Sequence, residues 1–271
     1  MKPHYVIVAS LILAACATPP SAPSPPAAEE QRLDAAILWV EHAAEYQAVS
    51  AQVYAEARRD LPHLVADVSF SAQPGQVDAA DKPPAIIFDV DETVVSNADY
   101  QEQLTRERYS RRGHFDWMRS HTAAPIRGAP AMIEAARDAG VSVFFITNRA
   151  CERFEGIDDD CPYEQVTIDD LSEAGIETDA DHLLMAWEQP GWNKEKLNRR
   201  NWLAERYRIV MLFGDDYGDF VHCARAKPLP PCTEAATRAS RHAALDTYAD
   251  YWGNGWYILP NPMHGSWTTV E

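Results

Sequence analysis

Basic residues are scarce in this chain. Its 24 Lys and Arg stand against 41 Asp and Glu, a formal net charge of −17. So acidic a surface excludes nucleic acid polymers, whose phosphate backbones are bound by basic faces. Cysteine is scarce too, with five in 271 residues, and neither a CxxC spacing nor a Cys/His cluster suited to a metal is present. There is no internal repeat. The apolar run YVIVASLILAA, residues 5–15, is too short and too early to span a bilayer, which takes about 20 residues. What is there is ordinary for a folded globular protein, 46% hydrophobic and 24% charged. The chain is long enough to bury a full core, as one large domain or one with an insertion. Its acidity leaves room for a small phosphorylated substrate, provided a metal or a few local cations receive it.

The N-terminus reads as a targeting segment. Lys2 precedes the apolar run, which ends in LAAC, residues 13–16, and this ending resembles the lipobox of bacterial lipoproteins. The resemblance implies a signal peptide over residues 1–15 and acylation of Cys16. Because Ala17 rather than Asp follows, the expected destination is the bacterial outer membrane, periplasmic or surface-facing. Residues 16–32 form a Pro/Ala-rich tether, ATPPSAPSPPAA at its core, expected to stay extended.

Cys16 accounts for the odd cysteine. The other four form two local pairs by position, Cys151 with Cys161 and Cys223 with Cys232, closing the loops CERFEGIDDDC and CARAKPLPPC. In an oxidising compartment each disulfide would restrict the unfolded chain by roughly 2–4 kcal/mol.

Residues 33–271 are expected to form a single domain. Residues 33–82 are a helical extension, with apolar residues at helical spacing in one long helix or two shorter ones, ended by Pro62. From Pro83 apolar strands alternate with helices: PPAIIFDV, VSVFFITN, DHLLMA, RIVMLFGDD and GWYILP as strands, APAMIEAARDAG, TIDDLSEAG and KEKLNRRNWLAER as helices. That alternation predicts an α/β fold, a parallel sheet flanked by helices. In such sheets ligands sit at the carboxyl ends of the strands. Three polar clusters fall at those ends, DVDET, TNR and GDDYGD, and the fold would converge them on one spot.

The set resembles a known superfamily. DVDET matches the DxDxT signature of the haloacid dehalogenase phosphatases, ITNR their second motif, KLNRR their third, and GDDYGDF their fourth. GDDYGDF and the C-terminal LPNPMHGSW look more closely like the class C bacterial acid phosphatases, outer-membrane lipoproteins acting on nucleoside monophosphates. The resemblance covers about residue 33 to 271. It implies a haloacid dehalogenase-like, Rossmann-like sheet with a small helical cap inserted at 98–126, and an acid phosphatase dependent on Mg²⁺. Asp89 would be nucleophile and metal ligand, and Asp91 would give its backbone carbonyl to the metal and act as general acid and base. Asp215 would complete the protein ligands, with Asp219 and Thr93 behind them and no role settled for Asp216. Thr147, Asn148 and Lys196 would bind the phosphoryl oxygens, with Lys194 the other candidate lysine.

The chain departs from that family where specificity is set. Aromatic rings are expected to flank the leaving group, yet His264 stands where the tail usually has Tyr, and His114 where a Trp is common. The insertion also carries a basic cluster, Arg106, Arg108, Arg111 and Arg112, readable as substrate steering or as a solvated helix face. Two rival functions compete with hydrolysis of a small phosphomonoester: a non-catalytic ligand-binding lipoprotein on a phosphatase scaffold, and a phosphotransferase. A tethered structural protein assembling through residues 33–60 is a further possibility, and the oligomeric state is open.

Overall fold

The computed structural model describes residues 28–120 and 123–270, the first four of these by backbone alone. The expected signal peptide, Cys16 and the first part of the tether lie outside the described residues. In chain order the elements are α1 (Ala28–His42), α2 (Ala44–Ala66), β1 (Pro84–Phe88), β2 (Val95–Ser96), α3 (Ala98–Leu104), α4 (Arg111–Ser120), β3 (Ala124–Pro125) and α5 (Ala129–Asp138). Then come β4 (Ser142–Ala150), α6 (Tyr163–Glu173), β5 (Leu183–Ala186), α7 (Leu197–Ala204), β6 (Arg208–Gly214), α8 (Arg238–Thr247) and β7 (Trp256–Ile258).

The expected parallel sheet is present, in the order β5-β4-β1-β6-β7 with every neighbour parallel. The chain runs outward from β1 through β4 to β5, then crosses back to add β6 and β7 on the other side. Strand order therefore reverses at β1, and a crevice opens at its carboxyl end. Side chains alternate along β1: Ile86 and Phe88 join the core on one face, Ala85 and Ile87 the core on the other. Phe88 stacks on Phe213 with ring centroids 4.4 Å apart. It also pairs in register with both Phe145 and Phe213, which brings the ends of β4 and β6 level with Asp89.

Four features differ from the sequence reading or add to it. The extension is the two-helix alternative, and α1 begins inside the segment assigned to the tether, because Pro26 is the last proline before a run of good helix formers. Pro62 does not end α2, which continues to Ala66. The fully buried Arg208 takes up the last-turn carbonyls instead, donating to Leu64 at 3.0 Å and Val65 at 2.7 Å. In the insertion, β2 and β3 close an antiparallel base, with Ile126 N–H donating to Val94 at 2.9 Å. That pairing lifts α3 and α4 over the crevice. Helix α8 has no counterpart in the sequence reading; its box pairs Thr237 with Ser240, where the usual signature has Glu or Gln, and the Thr237 hydroxyl accepts from Ser240 N–H at 3.1 Å.

Both expected disulfides are present, Cys151–Cys161 and Cys223–Cys232, with Cα atoms 4.3 and 5.4 Å apart. Helix α1 packs through Ile37 and Val40 against Ala98 of α3 and Met263 of the C-terminal tail.

Candidate active site

A cavity of about 570 Å³ opens at the carboxyl ends of β1, β4 and β6, within the size range of small-molecule sites. Its wall holds Asp89, Asp91, Asn148, Lys196, Asp215, Asp219, His114 and His264. Most of the residues singled out in the sequence therefore meet in one place.

Asp89 leaves β1 with its N–H donating to the Phe213 carbonyl at 2.9 Å, which fixes the residue between two strands. Its carboxylate contacts Lys196 Nζ, and the same ammonium lies 2.6 Å from Asp219. Lys196 is 3% exposed and Lys194 is exposed at the cavity mouth, so the lysine in contact with the nucleophile candidate is Lys196. Lys196 caps α7, and the arginines behind it do not face the cavity. Arg199 donates to the Leu184 carbonyl at 3.2 Å and to Asn148 Oδ1 at 3.0 Å, while Arg200 donates to the Phe220 carbonyl at 2.9 Å. With its oxygen held by Arg199, Asn148 has its amide N–H groups left as donors.

Asp89, Asp215 and Asp219 each offer an oxygen within 4.8 Å of the others. Burial pushes the Asp89 carboxyl up, with Lys196 opposing and Asp219 and Asp91 adding to the rise. Asp215 is pushed well above the carboxylate range by burial, then by Asp219, Asp89 and Glu92, with the Asn261 hydrogen bond of 2.7 Å opposing. Lys196 serves Asp89 and Asp219; among the described residues Asp215 has no cation within ion-pair distance. An all-oxygen cluster, buried at Asp89 and Asp219 and half-buried at Asp215, with no cation paired to Asp215, fits a hard divalent cation. Thr93 stands behind it, its hydroxyl 3.4 Å from Asp215. Gly214 is required here, since a Cβ would collide with the side chain of Asp219.

Asp91 is clamped. Arg149 Nη2 donates to it at 2.7 Å, Arg149 Nε at 3.1 Å and Asn97 Nδ2 at 2.7 Å. Burial raises its pKa, but Arg149 outweighs burial and holds the carboxyl well below the usual range. Arg149 is itself braced by the buried Asp170 of α6 at 3.0 Å. The sequence reading gave neither residue a role. The signal for Asp170 was a polar side chain on the inward stripe of α6, alongside Tyr163, Thr167 and Leu171. Thr147 is fully buried and off the cavity wall, its hydroxyl oxygen accepting from Arg149 N–H at 3.1 Å.

Both histidines reach the cavity. His114 sits among Tyr100, Trp117 and Tyr163, with centroids 4.8, 6.1 and 5.7 Å away. Burial, then Arg149, pulls its pKa down to about 4. His264 Nε2 lies 2.8 Å from the buried Glu92; burial lowers its pKa, but Glu92 outweighs this and the net shift is upward. Asp216 holds the tail that carries His264, accepting from the Ser266 hydroxyl at 2.8 Å and from its N–H. Of the basic cluster in the insertion, only Arg111 lines the cavity; Arg106 and Arg112 pair with Glu102 and Asp116 on an exposed face.

Residues 25–267 match the family model of the HAD superfamily, subfamily IIIB (acid phosphatase). The fold is similar to that of the class C acid phosphatase from Bacillus anthracis with tungstate bound, at a TM-score of 0.70 and 26% identity over 89% of this chain and 87% of that one. A second structure of that Bacillus anthracis enzyme matches at a TM-score of 0.69 and 25% identity, over 88% of this chain and 87% of that one. The chain belongs to the haloacid dehalogenase superfamily, subfamily IIIB, and is an acid phosphatase, a phosphomonoesterase acting on small phosphoesters.

Proposed function

We propose that the enzyme hydrolyses phosphomonoesters, nucleoside monophosphates among them, through an aspartyl-phosphate on Asp89, with Mg²⁺ held by Asp89, Asp215 and the Asp91 carbonyl. The observation that carries this reading is Asp89 at the floor of the cavity, contacting Lys196 and lying beside the uncompensated Asp215. When bound, Mg²⁺ would draw the phosphate dianion to the carboxylate and spread the charge of the transition state.

A carboxylate oxygen of Asp89 attacks phosphorus, the bond from phosphorus to the leaving oxygen breaks, and Asp91 supplies the proton that this oxygen takes. Water then attacks the aspartyl-phosphate at phosphorus and gives its proton to Asp91, and Asp89 leaves as the free carboxylate. The Arg149 clamp aims Asp91 but opposes its protonation. A phosphate dianion bound beside it works the other way, as any nearby negative charge does. Lys196 and the Asn148 amide face the phosphoryl oxygens. Export as a lipoprotein anchored to the outer membrane through Cys16 belongs to the same reading, supported by the lipobox and by two disulfides.

The test is turnover of p-nitrophenyl phosphate by wild type and Asp89→Asn, with and without EDTA. Wild type should be active, lose activity to EDTA and regain it with Mg²⁺. Asp89→Asn should fold and be nearly inactive, since an amide forms no acyl phosphate. Substantial activity in that variant would sink the nucleophile assignment.

A further inference from the structure

The cavity has a second cationic wall that the chemistry at Asp89 does not use. Lys194, Arg225 and Arg111 come from three separate segments and line the mouth of the same cavity. Arg225 Nη2 donates to the Lys194 carbonyl at 3.3 Å, which ties two of the three together. Arg111 is paired with Glu152 at 2.7 Å, and Arg225 lies 3.6 Å from the buried Glu195. Lys194 is different: among the described residues no carboxylate lies within ion-pair distance of it. Its ammonium sits 5.7 Å from the centre of the Trp187 ring. Although its side chain reaches solvent, the surrounding wall desolvates the ammonium and lowers its pKa; the like charges of Arg225 and Arg111 lower it further, with Glu152 opposing.

This wall is built rather than incidental. Both disulfide loops bear on it: the Cys151–Cys161 loop carries Glu152, which pairs with Arg111, and the Cys223–Cys232 loop carries Arg225. Cys223 N–H donates to Glu195 Oε2 at 3.1 Å, so the carboxylate beside Arg225 also fixes the start of its loop. Arg225 is further held by its own carbonyl, which accepts from Ala236 N–H at 2.9 Å. Trp187 and Cys223 both have left-handed backbones, φ 61° and 56°, a conformation that costs a bulky residue energy and persists where the surroundings impose it. The result is an indole ring held at the rim beside an unpaired ammonium.

We propose that Lys194, Arg225 and Arg111 form a second anion subsite beside Trp187, and that the enzyme prefers phosphomonoesters whose leaving group carries a second phosphate. This rests on the reading of Asp89 as the centre of phosphoryl transfer. The phosphate cleaved lies at Asp89 and Lys196, the one retained lies at the mouth, and Trp187 offers its face to a planar group between them.

The experiment compares adenosine 3′,5′-bisphosphate with adenosine 5′-monophosphate. Wild type should favour the bisphosphate by roughly tenfold in kcat/KM, the scale of one charge-assisted contact, and the preference should shrink as salt is raised. Lys194→Gln should bring the ratio of the two substrates towards one. The same pair is titrated by calorimetry into Asp89→Asn, with and without Lys194→Gln, which reads the subsite without turnover. Equal handling of the two nucleotides by wild type, or a preference that Lys194→Gln leaves intact, overturns the proposal. Failure of wild type to turn over p-nitrophenyl phosphate would instead strike the phosphatase reading, and the calorimetric ratio would still decide the subsite.

Discussion

His264 reaches across the mouth of the site to Glu92, its Nε2 2.8 Å from a carboxylate that is 1% exposed. The pair ties the C-terminal tail to the loop after β1, so the residue expected to flank the leaving group also holds the wall of the site. His264→Tyr should lower KM for nucleoside monophosphates through a larger stacking surface, by about 1–3 kcal/mol, with little change for p-nitrophenyl phosphate. His264→Ala should instead cost about 1–3 kcal/mol of stability, because the buried Glu92 carboxylate keeps only its contacts with Asn97. Equal shifts of KM for both substrates in His264→Tyr would place the imidazole in the chemistry itself.

Lys196 serves two buried carboxylates at once, contacting Asp89 and lying 2.6 Å from Asp219. Lys196→Met should lower kcat by about 10²–10³-fold, the scale for removing one charge-stabilising donor. It should also destabilise the fold by about 3–5 kcal/mol, since breaking a buried pair leaves its charges uncompensated. Adding Asp89→Asn to that variant should recover part of the melting temperature, while activity stays lost. Additive losses in the double variant would mean the two side chains do not interact.

Asp215 predicts how the fold responds to metal. Above its Kd, Mg²⁺ should raise stability with the logarithm of its concentration, by about 2.7 kcal/mol at a hundredfold excess over Kd, and Tm should rise with it. Asp215→Asn should abolish that rise and yet melt no lower than wild type in EDTA, because it removes a carboxylate whose charged form burial and three acidic neighbours oppose. Thermal scans with and without Mg²⁺ check both outcomes. A wild-type Tm indifferent to Mg²⁺ would remove the cation from this cluster.

His114 predicts an acid limit to stability. Its pKa falls from 6.5 to about 4 through burial and Arg149, so between those values the unfolded chain binds a proton that the folded chain does not. The contribution is whole above pH 6.5 and is lost as pH drops towards 4, by at most about 3 kcal/mol. His114→Phe keeps a ring among Tyr100, Trp117 and Tyr163 and does not titrate. Its Tm should therefore fall less than that of wild type between pH 6.5 and 4; parallel curves would show that His114 takes up its proton as freely folded as unfolded.

The layered architecture was legible because strands buried on both faces must be apolar throughout, and Ala85–Phe88 and Ile209–Phe213 are. The acids at the strand ends were legible for the opposite reason: Asp89, Asp91 and Asp215 follow apolar runs where a core has no use for charge. Pairing of the cysteines was legible too, since each partner lies within about one loop of chain. Sequence preferred Lys196 over Lys194, two residues apart on one turn, only through the family resemblance; the path of the chain into α7 over the sheet is what puts the second against Asp89 and leaves the first exposed. Nor could it find Arg149 as the clamp on Asp91, or Glu92 as the partner of His264, 172 positions away. Periodicity and local chemistry are written in neighbouring residues, whereas ion pairs, clamps and shared walls join segments that only the folded sheet brings together.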